Sequence, residues 1–240
     1  MRLLGSAIIV LASPAFAADE IWDTTETRDV QARYGECVVN RNYATARQFV
    51  LEPNPDDKGW RRAISKVADS DCLVKAANAP GGVEMKFPVD TMRYALADAL
   101  VRREFSSAPV ASIKQAAPLV QPKLDESDYQ PKPGKKVKPS QLKNLKELRE
   151  KRIGLIFLAG FGECLVRQNP DRAHFLLMAK PASREEVAAF KALNREFADC
   201  LPSGNTLSFG RATLRGTIAM NYYRLAHAPR QPATPAGVPK

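Results

Sequence analysis

Residues 34–39 read YGECVV and residues 161–166 read FGECLV, the same aromatic-Gly-Glu-Cys-apolar-Val string set down twice, 127 residues apart (161 − 34). In each copy the apolar positions recur at helical spacing. Val30, Tyr34, Cys37 and Val38 stand at i, i+4, i+7 and i+8, and Ile153, Phe157, Phe161, Cys164 and Leu165 form the corresponding stripe. The string therefore predicts a helix whose buried face carries the aromatic ring and the cysteine. Gly35 and Gly162 fall inside that helix, where glycine costs about 1 kcal/mol relative to alanine. Close approach of another helix backbone is the compensation this placement predicts.

Further landmarks recur in the same order. Asp71-Cys72-Leu73 matches Asp199-Cys200-Leu201 at offset 128, and residues 85–103 match 207–225 at offset 122, with Met92-Arg93 on Leu214-Arg215 and Arg102 on Arg224. The preserved order indicates a duplicated unit. Each copy predicts about four helices. The second helix of the second copy opens at Asn169-Pro170-Asp171, an N-cap followed by proline in the first turn, and its counterpart covers residues 42–51. The third opens at Ser183-Arg184-Glu185-Glu186, with capping-box spacing, and runs towards Phe197; its counterpart is placed at about residues 59–68. The fourth carries Val89, Met92, Leu96 and Leu100 in one copy and Leu214, Ile218, Tyr222 and Leu225 in the other. No period-2 run of β-branched residues interrupts this pattern, so the fold class expected is all-α.

The flanking segments differ in composition. Residues 1–17, MRLLGSAIIVLASPAFA, have a one-charge start, an apolar stretch and a small-x-small end, the pattern of a secretory signal peptide. The organisation expected is a signal peptide over 1–17, a helical repeat over 18–105, a disordered or extended Pro/Lys-rich linker over 106–140, a second repeat over 141–228 and a disordered tail over 229–240. An exported chain of this kind belongs in the periplasm or outside the cell. After signal cleavage it contains no segment of spanning length.

Four cysteines in an exported protein read as disulfides, and four cysteines permit three pairings. A duplicated, self-contained unit pairs its own two, which selects Cys37 with Cys72 and Cys164 with Cys200. A reactive thiol is disfavoured, because no Cys-x-x-Cys motif occurs and the cysteines lie on an apolar stripe.

Glu36 and Glu163 could form a general acid and base only if the two copies faced each other across a cleft. The simpler expectation is structural: Glu36 pairs with Arg93 and Glu163 with Arg215, an arginine of the fourth helix in each copy. His174 and His227 do not align between the copies and have no metal-ligand spacing around them. No phosphate loop, nucleophile elbow or dinucleotide fingerprint is present. No catalytic residue, metal or cofactor is therefore assigned.

FPVDTMRYALADALVRREF at 87–105, together with YGECVV, resembles uncharacterised secreted alphaproteobacterial proteins that combine an aromatic-Gly-x-Cys motif with a later Phe-Pro-x-Asp segment. The resemblance implies a secreted helical protein and carries no assigned activity. The formal net charge of +10 favours encounter with anionic surfaces. For an exported chain nucleic acid is the least suitable of these. The expectation is a non-enzymatic envelope protein that binds another protein or an anionic envelope component; the alternative is a hydrolase of envelope polymers using Glu36 and Glu163.

Overall fold

A computed structural model describes residues 23–52, 64–78, 89–131, 134, 137–202 and 209–230. The expected signal peptide, the last ten residues of the tail and the start of the first copy's third helix lie outside them. Among the described residues the regular elements are helices, and the sole β-pairing is an isolated bridge between Ala116 and Arg230. No helix there is long and apolar enough to cross a membrane.

The first half contains α1 (Thr25–Arg41), α2 (Tyr43–Leu51), α3 (Ser70–Ala77) and α4 (Val89–Glu104). The second contains α5 (Pro139–Gln168), α6 (Pro170–Met178), α7 (Arg184–Ala192), α8 (Asn194–Cys200) and α9 (Arg211–Ala226). Helix α6 repeats both bounds of α2 at offset 127, α5 ends 127 residues after α1, and α9 repeats both bounds of α4 at offset 122. The third element does not follow this register. Helix α7 ends at Ala192, and Cys200 is the last residue of α8, whereas Cys72 lies in the first turn of α3, where its N–H donates to Asp69 at 3.0 Å. Both disulfides nevertheless form within their own halves, Cys37–Cys72 and Cys164–Cys200, with Cα–Cα distances of 5.5 and 5.9 Å.

The two halves share one core rather than folding as separate units. Helix α9 lies at its centre and is buried continuously from Arg215 to Leu225, packing on α4, α5 and α6. An amphipathic helix buries one stripe, and a helix buried all round has neighbours on every side. Tyr34, Val38, Leu96 and Leu100 from the first half meet Leu165, Leu177, Ile218 and Tyr222 from the second in one continuous cluster.

The glycines explain how the helices come close. A Cβ added to Gly35 would lie 2.8 Å from the Ala95 carbonyl carbon in α4. One added to Gly162 would meet the Thr217 carbonyl oxygen at 3.0 Å in α9. Ala95 and Thr217 are equivalent positions at offset 122, so the same helix contact occurs in both halves.

Two expectations are corrected by packing. Within the segment expected to be a disordered or extended linker over 106–140, residues 110–120 are an ordered strap across the second half, with Ile113 and Ala116 buried. The Val110 N–H donates to the Tyr222 hydroxyl at 2.9 Å, and Arg167 donates to the carbonyls of Ala116 and Ala117 at 2.8 Å each. Extended backbone poor in large apolar side chains is held here by side-chain donors and acceptors instead of a hydrophobic face. The first residues of the expected tail belong to the same arrangement, since Ala117 donates to the Pro229 carbonyl. Ile153, placed on the buried stripe by spacing, is 40% exposed, because α5 projects beyond the body over its first turns.

Candidate functional site

Helices α4 and α9 cross where Tyr94 meets Gly216, a residue and its own counterpart at offset 122. This crossing leaves one cleft on each side. The first is lined by Arg28, Asp98, Ala212 and Arg215. The second is lined by their counterparts Leu155, Met220, Asp90 and Arg93. The two clefts are therefore equivalent in position and opposite in character.

The first cleft is closed by the chain's own charges. Glu186, completely buried, accepts from Arg28 and from Arg215 at 3.1 Å, and Arg215 also reaches Asp98 at 2.9 Å. Two arginines thus meet two carboxylates in a desolvated network, where each ion makes its neighbour tolerable. Ser183 caps α7 as its spacing predicts, accepting from the Glu186 N–H at 3.2 Å. The Glu186 carboxylate does not close a capping box, however; it turns inward and accepts from the Ala182 N–H as well.

The second cleft gathers cations. Arg93 comes from the second turn of α4, Arg224 from the last turn of α9 and Arg152 from the projecting part of α5. Their donors go to backbone carbonyls: Arg93 to Val50 and Glu52, Arg224 to Val120 at 2.8 Å, and Arg152 to Lys123 at 3.2 and 3.3 Å. A carbonyl satisfies a donor without cancelling its charge. Asp90 is the carboxylate lining the cleft among the described residues. Burial pushes its carboxyl above the ordinary aspartate range, while Lys151, Arg93 and Arg152 pull it back. Burial, and next the Arg224 charge, push Arg93 down to about 10, which leaves it charged at neutral pH. Burial also lowers Arg224, with Glu163 opposing.

Two polar atoms on the floor have no hydrogen-bond partner among the described residues: the Thr217 hydroxyl and Asn221 Oδ1, each in a side chain 2% exposed. Asn221 Nδ2 donates to the Thr217 carbonyl at 2.9 Å, which fixes the orientation of the amide and identifies the unpartnered atom as the acceptor oxygen. A Cβ at Gly162 would lie 2.5 Å from Thr217 Cγ2, so the bare glycine is what admits both side chains.

The expected ion pairs form differently. Glu36 does not pair with Arg93 but with Arg102, at 3.2 Å and also on α4. Glu163 does not pair with Arg215; it accepts from Arg167 at 2.8 Å, from the Leu119 N–H at 3.1 Å and from Gln121. Arg93 and Arg215 share a different role. Arg93 donates to Val50 at the end of α2, and Arg215 to Leu176 and Leu177 at the end of α6. Both cap the C-terminus of the second helix of their half, where unsatisfied carbonyls collect negative charge. Glu36 and Glu163 are each engaged by an arginine of their own half, and neither lines a cleft described here.

The histidines lie apart from both clefts. The Nε2–H of His174 donates to the Phe105 carbonyl at 2.6 Å. His227 approaches Glu104 at 3.1 Å beside Tyr43 and Tyr223, whose hydroxyls donate to the same carboxylate. Among the described residues no three His, Cys, Asp or Glu side chains are placed to hold a metal ion.

No family model, curated protein or solved structure matches this chain.

Proposed function

We propose that this chain is an exported, non-enzymatic helical protein of the cell envelope, periplasmic or secreted, that binds an anionic envelope component in the second cleft. Export is supported by the signal-like N-terminus together with two disulfides, bonds that persist in oxidising compartments. The observation that carries the binding role is the charge of the cleft. Arg152 and Arg224 donate to backbone carbonyls there and form no ion pair among the described residues. A half-buried excess of positive charge is left for a ligand to compensate.

The test is cosedimentation of the intact protein with envelope polysaccharide extract and, separately, with phosphatidylglycerol vesicles over a range of salt. Binding that falls steeply with salt, and falls again in Arg152→Gln, supports the reading. Binding that is absent or insensitive to salt removes it.

A further inference from the structure

We propose that the ligand of the second cleft is an acidic sugar: a saccharide unit bearing a carboxylate or phosphate beside a free hydroxyl. This deepens the anion-binding reading and rests on it. Arg152 and Arg224 supply charge, which selects for an anion of any kind. The floor demands more. The Asn221 Oδ1 is a buried acceptor without a partner among the described residues, in a side chain that lines the cleft and whose amide nitrogen is occupied by the Thr217 carbonyl. A simple carboxylate or fully ionised phosphate offers no donor to that oxygen and would repel it. A ligand hydroxyl next to the anionic group does offer one.

The Thr217 hydroxyl completes the pattern, since it can donate to the anion or accept from a second ligand hydroxyl. Its methyl faces Gly162, so the rotamer is held by packing rather than chosen by the ligand. Threonine inside a helix commonly turns its hydroxyl back to a carbonyl of the preceding turn; here that bond is not made. Tyr94 and Met220 add an aromatic and an apolar wall, suited to the C–H face of a sugar ring. The enclosed volume is about 70 Å³, which admits the charged edge of one residue of a chain rather than a whole ligand.

The site also fits the difference between the halves. At the position of Asn221 the first half has Ala99, and at that of Thr217 it has Ala95. The polar floor is thus confined to the cleft that the chain's own carboxylates do not fill.

Isothermal titration of the full chain with glucuronate and with glucose 6-phosphate tests this, against glucose, acetate and sulfate as controls. Tighter binding of either sugar acid than of the controls, by about tenfold, is the result expected, and the tighter of the two identifies the anionic group. Thr217→Val, which keeps the shape and removes the hydroxyl, and Asn221→Leu should each reduce that preference by about tenfold, with the circular dichroism spectrum unchanged. If acetate and sulfate bind as tightly as the sugar acids, or if Thr217→Val has no effect, the sugar assignment fails and the anion-binding reading stands. If none of the anions binds, both fail.

Discussion

Tyr94 of α4 lies directly on Gly216 of α9, so closely that a Cβ on the glycine would come within 2.7 Å of the ring carbon Cδ2. The two central helices touch at this point because one of two equivalent positions carries an aromatic ring and the other carries nothing. Gly216→Ala should therefore destabilise the fold by about 1 to 3 kcal/mol, the usual range for overpacking, despite alanine's better helix propensity. Urea denaturation checks it: the midpoint should fall with little change in slope.

The two glycines of the repeated string should respond unequally. At Gly35 the added methyl would meet the backbone of Ala95, which cannot move aside, whereas at Gly162 the nearest atoms belong to the Thr217 and Asn221 side chains. Gly35→Ala should lower the thermal midpoint more than Gly162→Ala does. Gly162→Ala should instead disturb ligand binding, because it displaces the cleft floor. Equal losses of stability would contradict this assignment.

Glu186 holds two buried arginines. Replacing it with leucine leaves Arg28 and Arg215 without a shared counter-ion and should cost about 3 to 5 kcal/mol, the range found when one partner is removed from a buried ionic network. A loss below about 1 kcal/mol by denaturant titration would show that Asp23 and Asp98 suffice alone.

Asp90 offers the opposite effect. Its folded-state carboxyl is raised by burial, so its contribution to stability is present at low pH and lost as pH rises through the folded value. At neutral pH the ionised group is a cost. Asp90→Asn should leave stability equal or higher at pH 7 and should tighten anion binding several-fold by removing the carboxylate from the cleft. Weaker anion binding in this variant would count against the cleft as the site.

His227 is lowered by burial and then by the Arg47 charge, with Glu104 opposing. A depressed histidine is neutral in the folded state while the unfolded chain takes up a proton near pH 6.5. Its contribution to stability is complete above that value and declines as pH falls towards the folded value. Denaturation midpoints at pH 7.5 and 5.5 should differ less in His227→Gln than in the parent chain.

The helical class, both disulfides and the close approach at Gly35 and Gly162 were legible in the sequence, because each is written in local spacing and written twice. The arginine partners were not. Arg93 and Arg215 repeat faithfully, and repetition says that a role is shared without saying what it is. The role proved to be carbonyl capping of the second helix of each half, 43 residues back for Arg93 and 38 to 39 for Arg215, a distance that no local pattern records. Ser183, three residues before Glu186, predicts that glutamate as a capping acid. Its burial depends on Arg28, 158 residues away, which no local pattern records. The strap over 110–120 was missed for a related reason. Composition measures how much apolar surface a segment can bury, and this one is held by Arg167, Arg224 and Tyr222 acting on its backbone.

The meeting of Tyr94 with Gly216 has a consequence for how the two clefts came to differ. Two separate identical chains crossing at this position would place every substitution on both sides of the crossing at once. Either both clefts would gain the ionic closure of Arg28 and Asp98, or neither would. Within one continuous chain the sides are free to diverge, and they have: Arg28 stands opposite Leu155, and Asp98 opposite Met220. One side can then serve as a permanent fastening while the other keeps its arginines free of a facing carboxylate pair, a division that strict symmetry forbids.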